Sequence, residues 1–241
     1  MPIRINEERG VRYLSFNRHW IQGAMRLSRP WSLELDYTRA MMLALLLRQE
    51  RGWPRSVLQV GLGAASITRY LQCYFPKTKL DVVEIDPEVI LNAWQFFAMP
   101  QESAHLNIEI GDGYKYMART RKKFDLILID GFDANGRAGK LHSLPFYRLC
   151  RARLAGNGLM VTNLLCHAGE KPDADPIRKA FDDRVAVLPA CDANTVVIAK
   201  AGAPLRIARD ELRSAAQNLR TRTGLNLLPT ISRLRPDYLV L

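Results

Sequence analysis

The chain has 241 residues, enough for one sizeable core with a small appendage. Its 48% hydrophobic content fits a soluble globular protein, and its most apolar run, MMLALLL at 41–47, is far too short to cross a bilayer. A formal net charge of +11 draws anions, and four cysteines without a C-x-x-C spacing (Cys73, Cys150, Cys166 and Cys191) exclude the common zinc and redox motifs.

The amino terminus, MPIRINEERG, is charged and no apolar stretch follows it, so no signal peptide is expected and the protein is expected to be cytoplasmic. Residues 11–36 alternate as VRYLSF, WIQGAM and WSLEL, with turn-like breaks at Asn17-Arg18 and Ser28-Arg29-Pro30. They predict a short antiparallel β unit, giving a division into 1–36 and 37–241. A helix is predicted from Tyr37 to about Gln49, capped by Asp36, and Arg51-Gly52-Trp53-Pro54 ends it. Four strand-length segments follow: VLQVGLGAAS (57–66), LDVVEID (80–86), LNIEIGDG (106–113) and FDLILIDGFD (124–133). Helix-length stretches at 66–75 and 87–97 lie between them, so the order reads as βαβ units around a parallel sheet. After the Gly-rich loop ANGRAGK come a helix at 144–154, a strand at 159–165, a helix near 176–182, and the strands VAVLPA and TVVIAK as a terminal hairpin. A helix at 208–222 and a Leu-rich tail complete the chain.

In an open parallel sheet, ligands sit beyond the carboxyl ends of the strands. FDLILIDGFD delivers two carboxylates there, Asp130 and Asp133. Gly61 and Gly63 follow the first sheet strand and precede a helix, which lets backbone approach a ligand at free helix N–H groups. Glu84 ends the second strand, where an acid accepts hydrogen bonds from ribose hydroxyls. Asp112, followed by Gly113, ends the third, where a carboxylate can meet an adenine amino group. Asp86 and Asp112 both suit a helix N-cap as well, and for Asp86 the cap is the preferred reading. There is no third glycine for a dinucleotide and no G-K-[ST] for a P-loop, so adenosine carrying a sulfonium fits better than NAD or ATP.

The scattered histidines (His19, His105, His142) and the Cys166-His167 pair receive no metal role. The cluster RTRKK at 119–123 sits on a helix-to-strand connection. Nucleic acid is one partner that such charge suits, but a solvated face is the preferred reading.

IQ at 21–22, DYTRAM at 36–41, VLQVGLG at 57–63, VVEIDPEVI at 82–90, GDG at 111–113, FDLILIDGFD at 124–133 and FY at 146–147 together resemble the spermidine synthases, or polyamine aminopropyltransferases, in order. The resemblance runs from about residue 11 to 200. It implies an α/β fold: a Rossmann-like, S-adenosylmethionine-methyltransferase-type sheet with a small N-terminal β domain. The implied reaction moves an aminopropyl group from decarboxylated S-adenosylmethionine to an amine such as putrescine, with no metal, usually in a dimer or tetramer. A homodimer is therefore expected, and LNLLPTISRL (225–234) is a surface that can pack on a partner. By resemblance, Asp130 takes the catalytic position, Tyr37 helps orient the amine, Asp133 is the second acid of its loop, and Gln22 lines the cofactor pocket.

Several positions depart from that pattern. The acid that holds the donor's ammonium is replaced by Ala64, a loss of about 1–3 kcal/mol for an unpaired charged hydrogen bond. The acidic loop continues Ala134-Asn135-Gly136-Arg137, a glutamine is replaced by Asn163, and a second tyrosine falls near Cys191. Two alternatives therefore stand beside aminopropyl transfer: an S-adenosylmethionine-dependent methyltransferase on the same pocket, and a nucleoside-binding relic without catalysis.

Overall fold

The computed structural model describes residues 3–16, 21–133, 136–165, 172–191, 193–234 and 238–241, without the side chains of 189 and 191. The expected turn at Asn17-Arg18, His19, the Cys166-His167 pair and residues 134–135 of the Gly-rich loop lie outside this set.

The chain opens with a three-stranded antiparallel sheet of β1 (Arg4–Glu8), β2 (Val11–Ser15) and β3 (Ile21–Arg26). Arg9 and Gly10 join the first two strands with φ of 48° and 74°, the left-handed pair that a tight two-residue hairpin needs. β1 is a correction, because RINEE is polar and exposed and carries no apolar alternation. WSLEL is the opposite correction, since it forms no strand. Turns fold the preceding segment on itself (Arg29 N–H to Arg26 O, Ser32 N–H to Arg29 O). The Arg39 guanidinium then donates to the carbonyls of Leu33 and Glu34 at 2.8 and 2.7 Å, which takes acceptors a strand neighbour would use.

Helix α1 (Asp36–Met41) gives way to a tighter 3-10 turn at Met42–Leu46 instead of continuing to Gln49. Asp36 is its first residue and not its cap; Leu35 holds the cap position, and Asp36 accepts from Arg39 at 2.8 Å. Next come β4 (Ser56–Val60), α2 (Ser66–Tyr74), β5 (Lys79–Glu84), α3 (Pro87–Phe96), β6 (Leu106–Ile110), α4 (Gly113–Arg119) and β7 (Phe124–Ile129). They are followed by α5 (Leu144–Arg153), β8 (Leu154–Leu165), α6 (Asp175–Phe181), β9 (Val185–Cys191) and β10 (Asn194–Lys200). The chain ends with β11 (Arg206–Ala208), α7 (Arg209–Thr223), α8 (Leu228–Ser232) and β12 (Tyr238–Val240). β11 and β12 pair as a small antiparallel sheet, in addition to the expected helix and Leu-rich tail.

The central sheet has seven strands in the order β6-β5-β4-β7-β8-β10-β9. The first five are parallel, and β10 runs antiparallel between β8 and β9. Period-two side-chain alternation gives it two apolar faces. Leu126 and Leu128 of β7 join the core beneath α1, α2, α3 and α7, while Ile127 and Ile129 join the one beneath α4, α5 and α6. Burying each such aliphatic chain contributes about 1.5–3 kcal/mol.

A third cluster, Leu14, Met25, Ala64 and Phe97, fastens the N-terminal sheet to the loop after β4. Beside it lies Arg69, only 1% exposed. Its guanidinium donates to Pro30 O at 2.7 Å, to Phe97 O at 2.8 Å and to Ala64 O, and burial pulls its pKa down to about 9. Among the described residues no carboxylate pairs with it, and its Nη2 is left without an acceptor. No helix of the described residues is long and apolar enough to cross a membrane.

Candidate active site

Backbone hydrogen bonds continue past the strand ends and hold the tips side by side. Gly61 N–H donates to Val83 O at 2.9 Å, Gly111 N–H to Glu84 O at 2.8 Å, and Asp130 N–H to Val60 O at 2.8 Å. The tips enclose a cavity of about 790 Å³. Gln22 and Tyr37 line it from the N-terminal side, Gly61 and Gly63 from the glycine loop. Glu84, Asp112 and Gly113 line one end, and Asp130 and Asp133 the other, so the proposed catalytic, substrate and nucleoside residues all face this one space.

The two glycines are required by protein packing as much as by any ligand. Gly61 has φ of 89°, and a Cβ there would stand 2.3 Å from the Asp130 carbonyl oxygen. Gly63 has φ of 52°, and its Cβ would stand 2.7 Å from the Gln22 carbonyl oxygen. Any other residue would push apart the β4 and β7 tips or β3 and the loop. The same crowding explains Ala64. Its methyl is 1% exposed and lies where a Cβ on Gly23 would approach to 2.4 Å, so it faces β3.

Glu84 is 7% exposed, and burial pushes its carboxyl above the ordinary range. Oε2 accepts from Leu62 N–H at 2.8 Å and Oε1 from Asp86 N–H at 3.0 Å, and the backbone N–H of Ile85 also donates to this carboxylate. Asp86 caps α3 through Glu88 N–H at 2.9 Å, as its sequence position suggests. Asp112 caps α4: Oδ1 accepts from Tyr114 N–H at 2.7 Å and Lys115 N–H at 3.2 Å. It serves as cap and as cavity wall at once.

Asp130 sits at the end of β7, and burial raises its carboxyl pKa. Two hydrogen bonds act in the opposite direction: Asn163 Nδ2 donates to Oδ1 at 3.0 Å, and the Tyr37 hydroxyl donates as well. Asn163, on β8, is 4% exposed and also lines the cavity, with its own Oδ1 unpartnered among the described residues. From sequence, Asn163 stands only where the family pattern has a glutamine. The available signal was a lone amide interrupting the apolar run LMVTNLL. Asp133 is exposed, and its Oδ1 accepts from Arg137 N–H at 2.8 Å.

Two further acids reach the wall, Glu34 and Asp36. Arg26 holds Glu34 in a two-point contact; Arg39 and Arg233 hold Asp36, the latter at 3.9 Å. Among the described residues no group of three or more His, Cys, Asp or Glu is arranged to hold a metal ion.

Known proteins share this architecture. The chain is 35% identical over 228 residues to the polyamine aminopropyltransferase of Neisseria meningitidis, covering 93% of this chain and 85% of that one. A probable spermidine synthase from Corynebacterium glutamicum superposes with a TM-score of 0.72 at 18% identity, over 99% of this chain and 86% of the other. Human methyltransferase-like protein 13 superposes with a TM-score of 0.65 at 24% identity, over 84% and 95% of the two chains. Both structures share the sheet and its helical layers. The model of the spermine/spermidine synthase domain matches residues 35–200, and the chain belongs to that family.

Proposed function

We propose that this protein transfers an aminopropyl group from decarboxylated S-adenosylmethionine to an amine such as putrescine. The observation that carries the reading is Asp130, a strand-tip carboxyl tied to Tyr37 and Asn163 in the same cavity as Glu84 and Asp112. Glu84 accepts from the ribose, and Asp112 stands at the adenine end. The glycine loop and Gln22 flank the sulfonium, and Asp133 meets the amine's far end. The unit 1–36 supplies Gln22, and the unit 37–241 supplies the rest.

The amine must attack as the free base, although a diamine is mostly protonated at neutral pH. Asp130 takes the proton from the attacking nitrogen, and Tyr37 fixes the carboxylate that does so. The nitrogen lone pair forms the new N–C bond while the C–S pair returns to sulfur, which leaves methylthioadenosine. The proton then passes from Asp130 to solvent. In-line positioning supplies the rest of the acceleration. Burial helps the base, because a carboxylate with a raised pKa accepts a proton more readily at neutral pH. A homodimer in the cytoplasm is the expected setting.

A second reading, methyl transfer from S-adenosylmethionine, has one observation in its favour. Ala64 faces β3 and offers no carboxylate to an aminopropyl ammonium. Calorimetry with methylthioadenosine, S-adenosylmethionine and the decarboxylated donor tests both. Preference for the decarboxylated donor supports aminopropyl transfer, preference for the carboxylated one supports methyl transfer, and binding of none at about millimolar concentration refutes both.

A further inference from the structure

The parallel sheet separates charge. Its carboxyl edge carries the acids of the cavity, whereas its amino edge carries cations at the start of one strand after another. Lys77 and Lys79 lead into β5, Arg55 into β4, Arg121 and Lys123 into β7, and Arg153 into β8. Hydrogen bonds show that these segments are lateral neighbours. Lys79 N–H donates to Arg55 O at 2.8 Å, Ser56 Oγ to Lys123 O at 3.3 Å, and Lys123 Nζ to Ala152 O at 2.5 Å. All six side chains are exposed or partly so, and none has a carboxylate partner among the described residues. The nearby acids are engaged: Asp81 with Lys122, Glu50 with Arg48, and Asp125 with the backbone N–H groups of Arg55 and Ser56.

We infer that this amino edge is a docking surface for the phosphate backbone of double-stranded nucleic acid. The arc from β5 to β8 spans three strand spacings, about 14 Å. One strand of a duplex presents about four phosphates over that length. The flanking residues offer no exposed aromatic platform on which unpaired bases stack, so the surface reads backbone and not base. They offer no exposed large aliphatic anchor for a lipid surface either. The cavity opens at the opposite edge, so a bound duplex leaves it accessible.

Fluorescence anisotropy with a labelled duplex of about two helical turns tests the inference. Four phosphate contacts give a slope of log K against log salt of about −3.6, or about a 150-fold loss between about 50 and 200 mM salt. In Lys77→Glu/Arg121→Glu the affinity should fall about tenfold or more and the slope should flatten by about two. Aminopropyl transfer should be unchanged, which also reports that the variant is folded. The milder Lys77→Ala/Arg121→Ala should move in the same direction. A control with the same change in net charge on α7, Arg213→Glu/Arg220→Glu, should stay within about threefold of the unaltered protein. Equal losses in edge and control variants would mean that net charge alone binds, and would overturn the inference. So would absence of duplex binding at the lower salt, or capture by phosphatidylserine vesicles in place of the duplex.

Discussion

Replacing Asp130 by Asn separates the chemistry of this carboxyl from its effect on the fold. The bond from Asn163 Nδ2 to Oδ1, 3.0 Å long, survives on the amide oxygen. The Tyr37 hydroxyl turns to accept from the new amide. What disappears is a charge that burial disfavours. The folded-state pKa lies above the ordinary 3.8, so between the two values the folded chain binds the proton more tightly than the unfolded chain does. Stability of the unaltered protein therefore falls as pH rises through that window, by about 1.4 kcal/mol per unit, and the variant lacks this loss. The variant should be the more stable protein at neutral pH, and the difference should vanish toward about pH 4. Urea midpoints from about pH 4 to pH 8 measure it. Turnover should fall about a hundred- to ten-thousand-fold, while methylthioadenosine affinity stays within about threefold. A variant that is less stable at neutral pH, a difference that does not change with pH, or persisting turnover would each refute the reasoning.

Asn163→Ala removes a bond that holds the Asp130 pKa down, so the acid limb of the pH–rate profile should move to higher pH. An unmoved limb would show that Asp130 is not the group titrating. Ala64→Asp places a carboxylate against Gly23 of β3, and thermal unfolding should show a loss of several kcal/mol with no gain in donor affinity. A stable variant with a lowered KM for the donor would show that this side chain faces the cavity. Gly61→Ala combines positive φ with a Cβ 2.3 Å from a carbonyl oxygen, and should cost about 2–5 kcal/mol and displace the Asp130 tip. Denaturant midpoints and turnover should fall together, and an unaffected variant would contradict the packing described.

The parallel strands were legible because each is an apolar run ending in Gly or an acid, and the site was legible because such runs end on one edge. Asp86 was readable as a cap from the following proline. What escaped notice had no local signal. β1 is held by its turn and its partner strand, not by its own side chains. β11 and β12 are three residues each and lie far apart in sequence, so neither shows a pattern alone. WSLEL alternates like a strand, yet Arg39, several residues later, claims its carbonyls. Asp36 looked like a cap but pairs with two arginines, one of them from the far end of the chain. The Asn163–Asp130 contact joins neighbouring strands and depends on register, which no single segment encodes.

The ungated cation at Arg69 makes the opening thirty residues indispensable. Its charge is held by carbonyls alone, and one of them belongs to Pro30. A shortened chain that began after this residue would lose that acceptor together with Leu14 and Met25, baring the apolar surface of Ala64 and Phe97 beside the guanidinium. The penalty, several kcal/mol, is on the order of the whole stability of a domain this size. Trimming from the amino end should therefore yield aggregate, not a smaller working enzyme.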